Sequence, residues 1–411
     1  MNYVIIGNSA AGIGCVQGIR DKDKTGKITI ISDEPYFTYS RPLISYWLKN
    51  AVTDENMKYR DRDFYDVNNV NTILGKRAVK IDTAAKKVIL DDNSEVPYDK
   101  LLVGTGSKPF VPSAPGLDET GYFTFMKYDD AKAIKQAVKP GAKVLIVGAG
   151  LIGLKAAEAL HEYTENITVI DLADRILSSI LDADAASIMQ KHIESKGVKF
   201  FLGTSVNNFA GKVAHLKNGE TCDFDILIMA VGVRPNTELI KEAGGEVNRG
   251  IVTEKTQAVK SLTDIYAAGD CTESFDSSVG ENKILAILPN AFLQGEIAGK
   301  NMSGQEFMYV NAIPQNAIGF FGLHIITAGS YSAEDAYEVA DGDNYKKLFI
   351  NKDKLAGFIL MGKYVSKAGI YTSLIKEKIP LSDIDFNLIK DNPGLAAFSR
   401  GRRDKKLAEF H

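Results

Sequence analysis

Two glycine-rich segments of the 411-residue chain have the spacing of phosphate-binding turns. In the second segment, Gly148, Gly150 and Gly153 follow the apolar run 144–147, and Asp171 follows the next apolar run. The first glycine of such a turn permits a tight bend, the second lets the backbone approach a pyrophosphate, and the third lets the helix pack on the strand. The N–H groups at the helix N-terminus bind the phosphates, and the acid binds ribose hydroxyls. The spacing therefore predicts a dinucleotide site.

The first segment repeats this order with one difference. Gly7 and Gly12 follow an apolar run, but Ser9 stands at the middle position, and the acids Asp33 and Glu34 follow the second run. Serine is small enough to admit a pyrophosphate, although it weakens the motif taken alone. Because both segments have the order strand, turn, helix, strand and acid, we predict two dinucleotide-binding units. A glycine-rich turn without a ligand is the alternative for each.

The acid of the second unit predicts NADH rather than NADPH. Asp171 would repel a 2′-phosphate at the position where it accepts hydrogen bonds from ribose. Arg175 follows four residues later and could weaken this preference.

The elements that must position these turns predict an α/β fold. Short apolar runs before each turn are typical of buried parallel strands, and alternating runs near residues 79–98 predict a meander. From about residue 310, apolar runs typical of strands, such as 346–350 and 355–360, are followed by segments typical of helices. This order predicts an α+β domain. We therefore predict two Rossmann-like dinucleotide-binding domains and a C-terminal α+β interface domain, with the boundaries 1–112 plus 246–308, 113–245 and 309–411.

Composition and charge exclude several classes of protein. The net charge of −3 argues against a nucleic-acid binder, and 45% hydrophobic residues argue against a disordered chain. No apolar run approaches the ~20 residues of a membrane helix, and the N-terminus does not resemble a signal peptide. Three scattered cysteines fit a reducing compartment, and five histidines show no metal-ligand spacing. We expect a cytoplasmic protein without a metal, a membrane or a nucleic-acid partner.

The order of five motifs resembles the pyridine nucleotide-disulfide oxidoreductase superfamily of flavoproteins. The motifs are the first glycine turn, segment 102–109, the second glycine turn, and segments 230–236 and 265–271. The resemblance implies that the first domain binds FAD and that the second, inserted domain binds NAD(P)H. Hydride transfer between the two cofactors would need no protein nucleophile, only stacking of nicotinamide on the flavin and stabilisation of the developing charge.

The resemblance also implies which residues bind the cofactors. Asp270 would bind the ribityl chain, and Arg41 would contact the FAD phosphates or adenosine. The helix near Asn290 would point its positive N-terminus at the flavin N1–C2=O edge. The other FAD-binding residues implied are Ala10, Ala11, Pro42, Ser45, Ala78, Val79, Gly104, Thr105, Gly106, Gly269, Pro289 and Ala291. The other NADH-binding residues implied are Leu151, Ile152, Val231 and Gly232.

Cysteine positions indicate a branch of this family. Disulfide reductases carry a C-x-x-x-x-C pair, and peroxidase and coenzyme A-disulfide branches carry one Cys near residue 42, but segment 39–45 has none. We expect Cys15 and Cys271 to be small packing residues rather than redox groups. The Tyr-x-Arg-Pro-x-x-Ser segment resembles the branch of rubredoxin reductases, ferredoxin reductases, the flavin part of assimilatory nitrite reductases and apoptosis-inducing factor.

Two positions depart from that branch. Many members pair a Lys, placed after the Ser, with a Glu, placed two residues after the third glycine of the second unit; this chain has Tyr46 and Lys155 instead. We hypothesise that Lys155 places a positive charge near flavin N5 or the nicotinamide amide, with Glu158 as its partner three residues on. The alternative is that Lys155 extends to solvent. Lys155, Glu158 and Tyr46 are the candidate catalytic residues.

These features predict an NADH-dependent flavoprotein reductase of a small carrier, such as a rubredoxin- or ferredoxin-like iron–sulfur protein. The alternatives are an NADH oxidase that reduces O₂ and an NADH-sensing flavoprotein. A basic run could dock an acidic carrier or be a solvated tail; it comprises Arg400, Arg402, Arg403, Lys405 and Lys406. The third domain could also form the interface of a homodimer.

Overall fold

A computed structural model describes residues 1–395, 398, 399, 401, 403, 404 and 408. Its strands in chain order are β1 Asn2–Ile6, β2 Lys27–Ser32, β3 Val70–Leu74, β4 Ala78–Asp82, β5 Lys87–Leu90, β6 Glu95–Pro97, β7 Lys100–Val103, β8 Ser107–Pro109, β9 Val144–Val147, β10 Ile167–Ile170, β11 Lys199–Phe201, β12 Val206–Ala210, β13 Val213–Leu216, β14 Thr221–Asp223, β15 Ile226–Met229, β16 Val233–Pro235, β17 Ile251–Val252, β18 Ile265–Ala267, β19 Thr272–Asp276, β20 Glu281–Lys283, β21 Gln315–Phe320, β22 Leu323–Gly329, β23 Asp335–Asp341, β24 Asn344–Asn351 and β25 Lys354–Met361.

The helices in chain order are α1 Ala10–Lys22, α2 Ile44–Leu48, α3 Phe64–Val67, α4 Leu117–Thr120, α5 Tyr128–Ala137, α6 Leu151–Leu160, α7 Ala183–Glu194, α8 Glu238–Glu242, α9 Leu288–Met302, α10 Ala368–Lys376 and α11 Phe386–Asp391. Short 3-10 helices lie at Arg41–Leu43, Glu55–Met57, Gly362–Lys367 and Leu381–Asp383.

The first sheet carries the first glycine turn. Its order is β18-β7-β1-β2-β3, and all neighbouring strands are parallel. The central strand β1 is buried from Tyr3 to Ile6, as expected for a parallel strand covered on both faces. Helices α1 and α9 pack against each other. The sheet therefore holds the ends of β1, β2, β7 and β18 at one edge, where a ligand of a doubly wound fold binds.

The second sheet carries the second glycine turn. Its order is β11-β10-β9-β15, again parallel. Each nucleotide-binding unit also contains an antiparallel meander of three strands. The meander consists of β4, β5 and β6 in the first unit and of β12, β13 and β14 in the second. An antiparallel ribbon of β8 and β16 connects the two regions. The predicted pair of Rossmann-like units is confirmed.

The C-terminal region is built differently. Its sheet has the order β21-β22-β25-β24-β23 and is antiparallel throughout. Helix α10 packs on β25, and its apolar side chains Tyr371 and Leu374 are buried with Phe358. This arrangement is the predicted α+β domain. On the separation of these sheets we propose the domain boundaries 1–112 with 246–308, 113–245 and 309–411.

Two helices begin earlier than the sequence predicts. The residues after the second glycine turn predict a helix over roughly 154–163, but the structure has α6 from Leu151. The sequence near Asn290 predicts a helix over 290–301, but α9 starts at Leu288. Glycine is a poor helix former, so the sequence favours a start after the last glycine of the turn. The structure places Gly153 inside the first helical turn, where its missing side chain allows close packing.

The described part of the chain has no helix that is both long and apolar enough to span a bilayer. Among the same residues, no group of three His, Cys, Asp or Glu side chains could hold a metal ion.

Candidate functional site

A cavity of about 920 Å³ lies at the edge of the first sheet where β1, β2 and β7 end. Its volume is in the upper part of the range for small-molecule sites. The predicted FAD-binding residues that line it are Gly7, Ser9, Ala10, Ala11, Asp33, Glu34, Arg41, Pro42, Ala78, Val79, Gly104, Thr105, Gly106, Gly269, Asp270 and Ala291. The cavity lining does not include the predicted residues Gly12, Ser45, Pro289 and Asn290.

The glycine turn of the first unit brings backbone close to the cavity. Gly7 has φ +116°, and a Cβ there would overlap the carbonyl oxygen of Gly104. A Cβ on Gly12 would overlap the carbonyl oxygen of Gly7, so Gly12 acts by letting α1 approach the turn. Ser9 is the extended residue before α1, and its side chain makes no capping hydrogen bond. The first N–H groups of α1 are therefore left to face an anionic group in the cavity.

Arg41 and Glu34 form one wall of the cavity as a pair. The guanidinium of Arg41 donates to Glu34 Oε1, and the hydroxyl of Tyr39 donates to Glu34 Oε2 at 2.6 Å. Glu34 is buried. Asp33 pairs with Lys127, with 2.7 Å between Nζ and Oδ2. Buried charged groups need partners of this kind, and the pairing fixes the Arg41 side chain at the cavity surface.

Asp270 and the start of α9 form another part of the cavity lining. Burial raises the pKa of the Asp270 carboxyl. Leu288 and Ala291 line the cavity, whereas Asn290 is buried behind them and donates from Nδ2 to the carbonyl of Ile313 at 3.4 Å. Pro289 lies in the first turn of α9, where a missing N–H costs nothing. The N-terminus of α9 is thus directed at the cavity.

The second glycine turn has the same backbone form. Gly148 has φ +118°, and a Cβ there would overlap the carbonyl oxygen of Ala230. A Cβ on Gly153 would overlap the carbonyl oxygen of Gly148, but a Cβ on Gly150 would have no heavy atom within 4 Å. Open space at the middle glycine is what the approach of a pyrophosphate requires.

Asp171 lies beside this turn at the end of β10. Its Oδ2 accepts the N–H of Ala149 at 2.6 Å, and its Oδ1 accepts the N–H of Ala173 at 2.8 Å. Arg175 pairs with Asp174 at 2.9 Å instead of with Asp171. Val231 and Gly232, at the end of β15, are exposed. Leu151 starts α6, and Ile152 is the predicted NADH-binding residue that also lines the first cavity.

Lys155 lies one turn after Ile152 on α6 and is only 12% exposed. Its Nζ pairs with Glu158, donates to the carbonyl of Gly319 at 3.0 Å and lies 4.8 Å from the ring centroid of Tyr46. The alternative that Lys155 extends to solvent is therefore wrong. Glu158 also pairs with Lys49 at 3.2 Å. The three side chains Tyr46, Lys155 and Glu158 are brought together, but they do not line the cavity.

The three cysteines are buried and lie outside the cavity lining. Cys15 Sγ contacts Met302 Sδ at 3.6 Å, and Cys271 Sγ points at the carbonyl of Val103 at 3.6 Å. Burial raises the pKa of Cys271 to about 11. Because the thiolate is the reactive form of cysteine, these side chains are packing residues.

Sequence reasoning missed several side chains of the cavity. Phe125, Met126 and Lys127 line it but follow no motif. Asn236 also lines it, and its Nδ2 donates to the carbonyl of Thr105 at 2.9 Å. Asn236 ends one of the five motifs, so the sequence did contain a signal for it. Of the predicted basic run, Arg403 is described and half-buried. The rest lies outside the described residues, namely Arg400, Arg402, Lys405 and Lys406.

Comparisons with known proteins extend over most of the chain. A family model described as pyridine nucleotide-disulphide oxidoreductase matches residues 1–295, and a model described as rubredoxin NAD⁺ reductase C-terminal domain matches residues 314–379. The chain is 32% identical over 346 residues to an NADH oxidase of Methanocaldococcus jannaschii, with 80% of this chain and 77% of that protein covered.

Two further proteins are similar over nearly the whole chain. An assimilatory nitrate reductase electron transfer subunit of Bacillus subtilis is 30% identical over 91% of this chain, but the chain spans 49% of that protein, about half its length. The solved NADH:rubredoxin oxidoreductase of Clostridium acetobutylicum superposes with a TM-score of 0.76 at 25% identity, with 92% and 96% of the two chains covered.

The cavity and the two glycine turns fit the cofactors of this family, FAD and NAD(H). The first cavity has the volume, the helix N-termini and the buried carboxyl that a bound flavin nucleotide requires, and the second turn leaves open space at its middle glycine. The resemblance drawn from the sequence motifs is confirmed, because the family model covers well over half of the residues. The chain belongs to the pyridine nucleotide-disulphide oxidoreductase family.

Proposed function

We propose that this chain passes electrons from NADH through FAD to a small carrier protein, such as a rubredoxin- or ferredoxin-like iron–sulfur protein. The observation that carries the proposal is the absence of cysteine from the described lining of the cavity. Without a thiol beside the flavin, electrons must leave the cofactor directly. Bound FAD would accept an electron pair from NADH and could release single electrons to a carrier.

The first cavity is the proposed FAD site. The turn from Gly7 to Gly12 and the N-terminus of α1 would hold the pyrophosphate. Arg41, fixed by Glu34, would contact the phosphates or the adenosine. Asp270 would bind the ribityl hydroxyls, and the start of α9 would stabilise negative charge on the flavin ring.

The second turn is the proposed NADH site. Gly150 gives a pyrophosphate access to the backbone, and Asp171 would accept hydrogen bonds from the adenosine ribose. Arg175 is paired with Asp174, so it leaves Asp171 free to disfavour a 2′-phosphate. We therefore expect a preference for NADH over NADPH. Ile152 lines the FAD cavity from the NADH side and would lie near the nicotinamide.

Lys155 would act on the flavin through its charge. Glu158 and the ring of Tyr46 hold its ammonium group inside the protein, one helical turn from Ile152. Two lysines, Lys49 and Lys155, share the single carboxylate of Glu158. The cluster keeps one net positive charge near the cavity, and a positive charge favours the reduced flavin, because reduction adds negative charge to the ring. Tyr46 and Glu158 are positioning residues in this proposal.

Two comparisons support a carrier protein as the acceptor. The C-terminal domain matches a family model named for rubredoxin reductases, and a solved NADH:rubredoxin oxidoreductase covers nearly the same length. An NADH oxidase is the second candidate, because the Methanocaldococcus jannaschii relative has that name. In that case the flavin would pass electrons to O₂.

An anaerobic NADH titration followed by addition of acceptors tests the proposal. We expect NADH to bleach the flavin absorbance and oxidised rubredoxin or ferredoxin to restore it within the turnover time. Air added to a matched sample should restore it at least tenfold more slowly. Faster reoxidation by air than by every iron–sulfur carrier would make the chain an oxidase. Slow reoxidation by all acceptors would favour an NADH sensor.

A further inference from the structure

A group of buried polar side chains lies behind the turn at Gly269 and Asp270 and outside the lining of the FAD cavity. They come from α9, from β19 and from the segment that follows β17, and each is at most 5% exposed. We call this group the polar network, and its members are Gln294, Thr272, Ser274, Gln257 and Thr253. Buried polar groups are costly unless they are hydrogen-bonded, and a network whose members are satisfied fixes one arrangement of the segments that it joins.

Gln294 connects α9 to the turn. Its Oε1 accepts the N–H of Gly269 at 2.7 Å. Gly269 is buried and lies beyond the end of β18, so the side chain of Gln294 satisfies an N–H that the sheet does not. Gly269 also lies between two helices, since a Cβ there would be 3.4 Å from the Cβ of Ala11 and 3.5 Å from the Cβ of Ala291. The hydrogen bond therefore ties the turn to α9 where α1 and α9 meet.

The other members of the polar network hold the turn from the opposite side. Thr272 Oγ1 donates to the carbonyl of Gly269 at 2.8 Å and lies 3.4 Å from Gln294 Oε1. Ser274 Oγ lies 3.2 Å from Thr272 Oγ1 and donates to Gln257 Oε1 at 3.2 Å. Side chains of the network thus bind both the N–H and the carbonyl of Gly269, which leaves this residue little freedom to move.

The two elements that Gln294 joins carry two parts of the proposed FAD site. Asp270 directly follows Gly269 and lines the cavity, as do Leu288 and Ala291 in the turns of α9 that precede Gln294. Asp270 would bind the ribityl hydroxyls, and the start of α9 would stabilise negative charge on the flavin ring. The spacing between Asp270 and the start of α9 therefore determines how close the helix N-terminus lies to the ring.

We propose that Gln294 is a positioning residue for the flavin, which it serves by fixing the turn of Asp270 against the N-terminal part of α9. The inference rests on the proposed FAD site. Without the amide of Gln294, the turn and the helix could separate. The stabilisation that a helix terminus gives to a charge falls off within one turn, so a small separation would weaken the stabilisation of the reduced flavin and lower its potential.

Gln294→Met tests this role, because methionine is similar in length but lacks the amide oxygen. The FAD-loaded full chain is equilibrated without oxygen with a redox dye at a fixed ratio of reduced to oxidised dye, and absorbance gives the ratio of reduced to oxidised flavin. We expect this ratio to be about fivefold lower in Gln294→Met than in the wild type, and about twofold lower in Thr272→Val, which loses the hydroxyl bound to Gly269.

Asn301→Leu is the matched control on the same helix. Asn301 lies two turns after Gln294, and its Nδ2 donates to the carbonyls of Thr256 and Phe307 at 3.0 and 2.9 Å. This variant should lower the unfolding temperature, measured by calorimetry, and leave the flavin ratio unchanged. A lower unfolding temperature in Gln294→Met with the wild-type flavin ratio would show a structural role alone and overturn the proposal.

The dye experiment is independent of the electron donor and of the acceptor. If NADH fails to reduce the wild-type flavin, the proposed function is refuted, whereas the dye still measures the effect of Gln294. If Gln294→Met does not retain FAD, Thr272→Val decides, and a wild-type flavin ratio in that variant would equally contradict the positioning role.

Discussion

The two glycine turns share their backbone form but differ in what surrounds them. Gly7 and Gly148 have φ values of +116° and +118°, and each lies against the carbonyl of a neighbouring strand end. The last glycine of each turn, Gly12 or Gly153, lies against the carbonyl of the first. The same steric requirement therefore fixes the backbone conformation of the glycine turn in both units.

The helices after the two turns pack in different ways. Helices α1 and α9 cross so closely that a Cβ on any of four glycines would overlap a carbonyl oxygen of the other helix; they are Gly14, Gly18, Gly295 and Gly299. Helix α6 instead contacts α2 and β21. The first turn faces a cavity of about 920 Å³, whereas the second has open space at Gly150 and an exposed Val231, 37% accessible. We infer that the first unit retains its cofactor and that the second exchanges its nucleotide in each turnover.

The largest expected effect comes from breaking the crossing of α1 and α9. Gly14→Val should destabilise the FAD unit by about 3 kcal/mol or more, because the new side chain meets helix backbone that cannot move without repacking. We expect loss of FAD during purification and a lower unfolding temperature, measured by the ratio of flavin to protein absorbance and by calorimetry. Gly150→Ala is the matched control in the second unit. It should keep its FAD and bind NADH more weakly, and equal loss of FAD in both variants would contradict the comparison.

The next largest effect concerns the affinity and the selectivity for NADH at the second turn. Asp171→Asn removes the charge that would bind ribose, so the KM for NADH should rise about tenfold and the preference over NADPH should fall by a similar factor, which corresponds to about 1.4 kcal/mol. Steady-state kinetics with NADH and with NADPH measure the KM and the selectivity. Glu220→Gln is the control, because Glu220 is an exposed carboxylate in the turn between β13 and β14 of the same unit. Unchanged selectivity in Asp171→Asn would exclude this carboxylate as the ribose contact.

The sequence predicts those parts of the site that local sterics determine. The two glycine turns were predicted because their backbone positions admit few residue types. Arg41 and Asp270, which line the cavity, were predicted from the family resemblance. Glu158 was found as the partner of Lys155 because residues three apart meet on a helix.

Contacts between distant segments could not be predicted in this way. Lys49 joins Glu158 from another helix, and Phe125 and Met126 reach the cavity from a segment without a motif. The pairing of Arg41 with Glu34 was also missed, since each was assigned separately to the cofactor. One sequence gives the spacing within a segment, whereas these contacts depend on how three domains pack.

A smaller effect concerns the positive charge of Lys155, which α6 places near the FAD cavity. A unit charge at roughly 15 Å with an effective dielectric of about 20 contributes about 1.1 kcal/mol, or about 24 mV for a two-electron couple. Lys155→Gln should therefore lower the flavin midpoint potential by about this amount and slow reduction by NADH. Potentiometric titration with dye mediators measures the shift. Lys143→Gln, at an exposed lysine of the same domain, should leave the potential unchanged, and an equal potential in Lys155→Gln would remove this lysine from the redox role.

The smallest effect concerns β18, the fifth strand of the first sheet, which the second sheet lacks. Asp264 precedes β18 and binds Lys100 at 2.5 Å and Lys86 at 2.6 Å. Its hydrogen bonds to Lys100 and Lys86 lower the pKa of its carboxyl. A lowered pKa stabilises the folded state above the unfolded pKa near 4, and this stabilisation is lost as the pH falls. Asp264→Asn should therefore cost about 1 kcal/mol at pH 7.

That cost should shrink as the pH falls below 4, because the wild-type carboxylate then becomes protonated as well. Urea unfolding of both proteins across this range measures the difference. Asp225→Asn is the control in the second unit, where Asp225 accepts a backbone N–H from Lys143 at 2.8 Å and pairs with no lysine of the described chain. A cost of Asp264→Asn that stays constant with pH would show that the two lysines hold β18 by packing rather than by charge.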